Sequence, residues 1–299
     1  MDNKKPLLPV KSDFVFRRIF GDQRNVDILG AFLRSVLDIP DDEYGHLTII
    51  DPHLKKESRK DKYAILDVKL HTVSGSIIHI EIQRRVLSDL KARTIYSQSK
   101  LITEQMESGN KWTKIKRAIT IVITDEVFER EGDEYHHQYR YRTKDGLEFS
   151  NLTEINTLDL NKLPINDDNT DLWYWMKFIK SDDEEGLEML AMRSPEMKKA
   201  VGVLKKLSAN ERTRMLYEQH EMVLRDIESM KDDARRETEE KWEGVVAVKN
   251  AEIAIKDAAL ADKDAALAKK NAEIADMGAE NEQLRKQLAA LQTQLSGKK

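Results

Sequence analysis

Two neighbouring stretches, residues 63–71 and 76–83, alternate apolar and polar side chains with a period of two. This period is typical of β-strands that turn one face towards a core. The two apolar sets must share one face, because a slip of one residue would turn a strand's whole apolar set to the other side. We therefore expect a paired hairpin whose inner face carries Ala64, Leu66, Val68, Leu70, Ile78, Ile80 and Ile82.

The opposite face of this pair collects polar side chains, namely Asp67, Lys69, His71, His79, Glu81 and Gln83. A three-residue turn over 73–75, with Gly75 at positive φ, places Asp67 opposite Glu81, whereas a register shifted by two residues places it opposite Gln83. Either register holds two carboxylates roughly 5 to 8 Å apart. Two such acids repel unless they share a proton or a cation, and hard oxygen ligands suit Mg²⁺ or Mn²⁺.

The composition limits the settings in which this chain can work. Its 299 residues leave room for about two domains. The absence of cysteine excludes disulfides and thiolate zinc sites and favours a reducing cytoplasm. Residues 1–10 lack a leader pattern, and nowhere do about eighteen apolar residues run together. We therefore expect a cytoplasmic protein without a membrane span.

Charge is unevenly distributed along the chain. The overall net charge of −4 argues against general affinity for nucleic acid. Between His53 and Arg117, however, fifteen Lys or Arg residues stand against seven Asp or Glu. Such a local excess can bind a phosphate backbone without sequence preference, although a solvated set of surface lysines explains it equally well.

Apolar spacing of three and four residues predicts helices on both sides of the strand pair. The predicted order is a helix over 13–37 that breaks near Gly21 or Asn25, a short strand over 47–50, the strand pair, a helix over 87–107 and a buried strand over 118–124. A further hairpin is expected over 135–152. Residues 161–170 read as a linker, and the chain beyond them is almost entirely helical in pattern.

A seven-residue repeat marks the C-terminal part of the chain. Its first phase contains Ile253, Leu260, Leu267, Ile274, Asn281, Leu288 and Leu295, and from residue 274 a second phase adds Met277, Leu284 and Leu291. This is the a/d pattern of a coiled coil, and Asn281 at an a position favours a parallel dimer. Upstream the second position holds Lys256, Lys263 and Lys270. A lone charged helix is therefore the alternative there.

Five motifs occur in a fixed order: Asp13-x-x-Phe16-Arg17-x-x-Phe20-Gly21, Ile28-Leu29-x-x-Phe32-Leu33, Ile65-Leu66-Asp67-Val68, Ile80-Glu81-Ile82-Gln83 and Arg93-x-x-Tyr96. The ordered set resembles the Rpn family of recombination-promoting nucleases, which are PD-(D/E)XK nuclease family transposases. The resemblance implies an α/β, restriction-endonuclease-like core in the order α-β-β-β-α-β, with a mixed sheet flanked by helices. A helical region and a C-terminal coiled coil follow. The corresponding domains are a nuclease-like domain over 11–165, a helical domain over 166–240 and a long helix over 241–299.

The resemblance also implies cleavage of DNA phosphodiesters that depends on Mg²⁺, with Mn²⁺ as a possible substitute. Asp67 and Glu81 match the metal-binding acids of the family. Gln83 stands where the wider superfamily has a lysine, and Lys69 on the same face is a candidate for the missing positive charge. The backbone carbonyl of Ile82 is a further candidate ligand. The expected function is an endonuclease linked to DNA recombination or mobile elements.

Several alternatives stay open at this point. Asp13 is either a further acid of the site or a helix cap, and His71 and His79 are expected to be surface residues of the strands. The protein is alternatively a nuclease-like DNA-binding protein with weak or no cleavage, or an oligomerisation scaffold. DNA is the expected partner, no membrane is expected, and a homodimer through residues 274–295 is the expected assembly.

Overall fold

The computed structural model of this protein describes residues 6–50, 67–181 and 183–296, with side chains as far as residue 291. Within these residues, the strands are β1 (Thr48–Ile50), β2 (Val68–His71), β3 (Ile77–Gln83), β4 (Ala118–Thr124), β5 (His136–Arg142) and β6 (Glu148–Asp159). They form one sheet in the order β1-β2-β3-β4-β6-β5. The pairings β1-β2, β2-β3 and β5-β6 are antiparallel, and β3-β4 and β4-β6 are parallel. The sheet is therefore mixed, as predicted.

The α-helices of the described chain are α1 (Asp13–Phe20), α2 (Val26–Val36), α3 (Leu90–Thr103), α4 (Asp171–Lys180), α5 (Glu184–Leu190), α6 (Pro195–Ala209) and α7 (Glu211–Ser296). The predicted order α-β-β-β-α-β is confirmed through β4. The predicted break near Gly21 is also confirmed. A Cβ at Gly21 would lie 2.6 Å from the carbonyl oxygen of Arg17, so the backbone that ends α1 accommodates only glycine without a shift.

The strand pair adopts the first of the two expected registers. Val68 pairs with Ile80 and Lys69 pairs with His79, so that the position of Asp67 faces that of Glu81. Gly75 in the turn has φ of +85°, as the turn prediction requires. The apolar set from Val68 onward belongs to the main hydrophobic cluster, whereas the expectations for 63–66 lie outside the described residues.

The polar face of the pair is covered rather than solvated. Gln98 of α3 donates from Nε2 to the carbonyl oxygen of Ala118 at 2.6 Å, and its Oε1 accepts the hydroxyl of Thr120. Thr120 is the β4 neighbour of His79 in the sheet. His79 is accordingly fully buried, and the expectation that it is a surface residue is wrong, because α3 packs over that face.

Helices α4 to α6 share a hydrophobic cluster with α1 and α2. The ring centroid of Trp175 in α4, for example, lies 6.0 Å from that of Phe20 and 6.2 Å from that of Phe32. Because these aromatic rings need the first two helices to bury them, the region after the linker completes the core of the sheet domain instead of forming a core of its own.

The chain divides into two compact units, one that ends at Met222 and one that begins at Val223. The predicted domain boundaries at 165 and 240 stay a prediction. The described part of the second unit is the continuation of α7. No helix in the described residues is long and apolar enough to cross a membrane.

Candidate active site

The two predicted acids come together at one end of the strand pair. Asp67 directly precedes β2, and Glu81 lies near the end of β3. Oδ2 of Asp67 accepts the backbone N–H of Ile82 at 2.7 Å. The described hydrogen-bond ladder between β2 and β3 ends at the Val68–Ile80 pair. Beyond that pair, the Asp67 carboxylate is the acceptor for the backbone N–H of Ile82. This contact fixes the first acid beside the second.

Arg17 of α1 holds the Asp67 carboxylate from the solvent side. Its Nε and Nη2 donate to Oδ1 of Asp67 at 3.0 and 2.8 Å. The Asp67 side chain is 7% exposed, whereas that of Arg17 is 40% exposed. Nη2 of Arg17 also lies 3.8 Å from Oδ2 of Asp13, one turn earlier on the helix. A buried carboxylate is thus covered by a partly solvated guanidinium.

The Glu81 carboxylate is held in a similar way from α3. Its Oε1 accepts Nε2 of Gln83 at 2.5 Å and Nη2 of Arg93 at 3.0 Å. The Glu81 side chain is 11% exposed and that of Arg93 is 43% exposed. Both donors bind the same oxygen, and no described residue donates to Oε2. Gln83 therefore lies in contact with the acid that the sequence predicted beside it.

Burial dominates the electrostatics of both acids. Desolvation raises the pKa of Asp67, although the Ile82 N–H and Arg17 lower it in part. Desolvation likewise raises the pKa of Glu81, with Arg93 opposing the shift and the charge of Asp67 adding to it. The two carboxylates therefore repel each other, and their present donors compensate their negative charge incompletely. A site of this kind favours an added cation.

Lys69 has a partner other than the two acids. Its Nζ lies 3.1 Å from Oε2 of Glu104, the residue that follows α3, and both side chains are buried. The catalytic role expected for Lys69 stays a prediction. Among the described residues, the cations that contact the acids are Arg17 and Arg93, which the sequence reasoning did not single out. Each arginine lies within a motif that carries the family resemblance, Asp13-x-x-Phe16-Arg17 or Arg93-x-x-Tyr96. That position is the feature of the sequence from which their place at the site could have been predicted.

Asp13 and His79 have separate surroundings. Asp13 is the first residue of α1, and its Oδ1 accepts the N–H of Phe14 at 2.8 Å and lies 2.9 Å from Nε2 of His220. Neither ring nitrogen of His79 has a hydrogen-bond partner among the described residues. Desolvation lowers the pKa of His79 to about 3. This imidazole is therefore neutral and supplies no charge to the site.

The donor set fits a hard divalent cation. The described residues contain no group of three or more His, Cys, Asp or Glu side chains that could hold a metal ion. What they offer is the carboxylate pair of Asp67 and Glu81, with the Ile82 carbonyl as a further oxygen in the same strand. Mg²⁺ prefers oxygen ligands and commonly keeps several waters, so that two carboxylates are a sufficient protein contribution.

Comparison with known proteins identifies the family of this chain. No match was found among curated proteins or among solved structures. The model of the PD-(D/E)XK nuclease family transposases matches residues 10–234, which include the sheet and both acids. As the match covers well over half of the sequence, the chain belongs to the PD-(D/E)XK nuclease family transposases.

Proposed function

We propose that this protein is a divalent-metal-dependent DNA endonuclease that hydrolyses phosphodiester bonds and serves DNA recombination or mobile elements. The observation that carries the proposal is the pair of adjacent buried carboxylates, Asp67 and Glu81, whose pKa values are raised by burial. A protein that only binds DNA gains nothing from two acids beside phosphates, because they repel the backbone.

Each residue of the site has a separate role in the proposed reaction. Asp67 and Glu81 would hold Mg²⁺, with the Ile82 carbonyl as a third ligand, and the ion would supply a bound water of lowered pKa and positive charge opposite the phosphate. Gln83 has a neutral amide that orients water and donates hydrogen bonds, because it lacks the charge of a lysine. Lys69 remains a candidate for electrostatic support from the same strand face.

Positive side chains next to the acids suit the phosphate backbone. Arg17 and Arg93 are both partly exposed at the site. Arg84 follows Gln83 directly, is 49% exposed and is paired with Glu221 at 2.9 Å. Contacts of this kind release counterions from DNA, so binding should weaken steeply as salt is raised. The local excess of basic residues in the sequence is consistent with this surface.

A second candidate function is favoured by one specific observation. Each acid already carries an arginine in the structure, and a site that keeps these pairs would bind DNA and cut it slowly. A plasmid-cleavage assay separates the two functions. Supercoiled plasmid is incubated with the full chain in EDTA, Mg²⁺ or Mn²⁺, and the nuclease proposal expects nicked or linear product only with metal.

Matched variants make that assay specific. Asp67→Ala and Glu81→Ala should lose cleavage, whereas Glu129→Ala, which removes an acid paired with Lys91, should keep it. Metal-independent cleavage, or full cleavage by either site variant, would overturn the proposal. Binding of DNA without cleavage in any metal would favour the second function.

We also propose that α7 assembles two copies of the chain. Its apolar side chains at the a/d spacing are exposed, namely Ile274, Met277, Leu284, Leu288 and Leu291, and Leu295 lies beyond the described side chains. Three consecutive heptads are about the minimum for a stable two-stranded seam. A dimer would bring together two sites, each of which attacks one strand, so that both strands of a duplex are cut.

Truncation after Glu240 tests the assembly. The truncated chain should be monomeric by light scattering and should still nick plasmid, with a smaller fraction of linear product than the full chain. A monomeric full-length protein, or an unchanged ratio of linear to nicked plasmid, would contradict the dimer and leave the tail as a solvated helix.

A further inference from the structure

Each acid of the site accepts a guanidinium group on one of its two carboxylate oxygens. Arg17 donates twice to Oδ1 of Asp67, and Arg93 donates to Oε1 of Glu81. The two arginines come from different helices, α1 and α3. Two carboxylates and two guanidinium groups together carry no net charge. The arginines therefore balance the formal charge that a divalent ion would otherwise balance, although burial still leaves the pKa of both acids raised.

A divalent ion and the two arginines compete for these carboxylates. Each oxygen that coordinates a cation becomes a weaker acceptor, and the cation repels the guanidinium groups beside it. Arginine keeps its charge at all accessible pH values, so it cannot relieve the repulsion by losing a proton. Metal binding should accordingly weaken the Arg17–Asp67 and Arg93–Glu81 pairs.

If the protein is a nuclease, the phosphate oxygens of DNA can replace the carboxylates as acceptors for the released arginines. Their side chains are 40% and 43% exposed, so they reach solvent without unfolding either helix. A guanidinium group presents a planar set of donors that matches two phosphate oxygens. During cleavage a DNA phosphate would lie next to the two acids, and phosphate is an anion that guanidinium groups bind well.

We propose that Arg17 and Arg93 exchange partners, holding Asp67 and Glu81 in the metal-free protein and DNA phosphate oxygens once a divalent cation binds the two acids. This inference rests on the proposed function, because the phosphate is that of the substrate. It predicts that metal and DNA strengthen each other's binding, and linkage requires the effect to be reciprocal. The arginines are positioning residues for the acids in one state and substrate-binding residues in the other.

Equilibrium binding of a labelled DNA duplex, followed by fluorescence anisotropy, tests the exchange without turnover. Ca²⁺ replaces Mg²⁺ in the assay, since both ions use hard oxygen ligands, and gel electrophoresis checks that the duplex stays intact. Full-length wild-type protein should bind the duplex on the order of tenfold more tightly in Ca²⁺ than in EDTA, within the usual range of coupling. In Arg17→Gln and Arg93→Gln this gain should fall to about twofold or less.

Two neighbouring cations provide matched controls. Arg18 follows Arg17 on α1 but donates to the carbonyl oxygen of Phe14, and Lys91 precedes Arg93 on α3 but pairs with Glu129. Arg18→Gln and Lys91→Gln remove the same charge and should keep the wild-type gain in Ca²⁺. A loss of gain in the controls equal to that in the site variants would overturn the exchange, because it would reflect charge alone.

A second measurement uses calorimetry with Ca²⁺ and no DNA. Arg17→Gln should bind Ca²⁺ several-fold more tightly than wild type, because the ion no longer displaces a guanidinium group from Asp67. If Arg17 only kept Asp67 in position, Arg17→Gln would bind Ca²⁺ more weakly than wild type, because the Asp67 carboxylate would be disordered. Circular dichroism checks each fold, and Arg93→Gln carries the same test if Arg17→Gln does not fold.

A double-mutant comparison separates partner exchange from simple relief of repulsion. Asp67→Asn should raise DNA affinity in EDTA, because it frees Arg17, but it also removes a negative charge near the phosphates. Under partner exchange, most of this gain disappears in Asp67→Asn combined with Arg17→Gln. A gain of the same size in both backgrounds would refute the exchange.

The outcomes also distinguish this inference from the proposed function. If wild type cuts plasmid with Mg²⁺ while Arg17→Gln and Arg93→Gln keep the full gain in Ca²⁺, the exchange is wrong and the nuclease stands. If wild type neither binds nor cuts DNA, both are wrong.

Discussion

The buried acid Glu154 and the buried pair of Asp67 and Glu81 have very different hydrogen-bonding surroundings. Glu154 in the middle of β6 is 1% exposed, and its carboxylate accepts hydrogen bonds from Arg117, Arg140, Gln138 and Asn156. Burial raises the pKa of Glu154, but the four donors outweigh it and the net shift is downward. Asp67 and Glu81 have fewer donors, and burial leaves the pKa of both raised.

The contrast indicates which acids serve the fold and which are available for chemistry. A buried carboxylate whose acceptor capacity is filled by arginines and amides is stable as an ion and has no need of a metal. Asp67 and Glu81 instead depend on two partly exposed arginines, and Oε2 of Glu81 receives no donor from the described residues. Under-compensated buried acids of this kind are typical of functional sites. The predictions below test that division.

The largest effect is expected for Asp67→Ala and Glu81→Ala, which should each reduce plasmid cleavage by at least about a thousandfold, because a metal held by one carboxylate is poorly bound.

The free energy of unfolding should not fall in the isosteric variants Asp67→Asn and Glu81→Gln. A raised acid pKa means that the folded state binds the proton more tightly, so ionisation costs stability as pH rises through the shifted range. Urea unfolding at neutral pH should therefore give wild-type or higher free energies. A clearly destabilised Asp67→Asn would place Asp67 with the structural acids.

Glu154→Ala should produce the reverse pattern. Removing Glu154 takes the shared acceptor from Arg117 and Arg140, although Arg140 keeps a 3.6 Å contact with Glu148, and the loss of one member of a buried ion pair costs about 3 to 5 kcal/mol. Urea unfolding measures this cost. Cleavage per folded molecule should stay at the wild-type level at a temperature where the variant is folded. If Glu154→Ala lost cleavage but kept its unfolding free energy, the assignment of structural and functional acids would be inverted.

Two glutamines allow the same comparison on the donor side. Gln83 donates to Glu81 and Gln138 donates to Glu154. Gln83→Ala should raise the barrier to cleavage by up to about 2 to 4 kcal/mol, less than the loss of a metal ligand. Gln83→Lys should retain cleavage. Gln138→Ala should instead lower stability by about 1 kcal/mol and leave the rate unchanged. Steady-state kinetics that show Gln83→Ala as fast as wild type would remove Gln83 from the mechanism and direct attention to Lys69.

The last prediction concerns His79, a buried titratable group with no hydrogen-bond partner among the described residues. Burial lowers the pKa of His79 from 6.5 to about 3. The folded state thus resists protonation, so its stability is complete above the unfolded value and declines as pH falls below 6.5. At about pH 5 the loss amounts to about 2 kcal/mol.

His79→Leu should flatten this acid-side decline in urea unfolding measured at about pH 7 and pH 5. His46→Leu, which removes an exposed imidazole, serves as the matched control variant. An identical slope in wild type and His79→Leu would show that another group controls acid stability.

Local patterns in the sequence predicted much of the fold. Alternation in the strand pair identified its core face and Gly75 identified the turn, because both depend on neighbours in the chain. The burial of His79 was not predicted, since a polar residue on an outer face does not reveal that α3 will pack over it. The packing of α4 to α6 against α1 and α2 was missed for the same reason, as aromatic partners 140 or more positions apart leave no periodic signal.

For the candidate site, the sequence indicated the acids but not their cations. Asp67 and Glu81 were recognisable because the alternating pattern places both on the polar face of the strand pair in either of the two registers considered. Arg17 and Arg93 contact them from helices that lie 50 and 12 positions away in the chain. Lys69 was chosen because it shares the strand face, yet its ammonium reaches Glu104 instead. Proximity within a strand is a poor guide to the direction of a long side chain.

Counting bound Mn²⁺ by electron paramagnetic resonance tests the central claim most directly, because Mn²⁺ uses the oxygen ligands of Mg²⁺ and free and bound ions give distinct signals. Full-length wild type and Glu154→Gln should each bind Mn²⁺ at the acid pair, whereas Asp67→Asn and Glu81→Gln should lose that binding. Retention of wild-type Mn²⁺ binding by both Asp67→Asn and Glu81→Gln, or its loss in Glu154→Gln with the fold intact, would contradict the account.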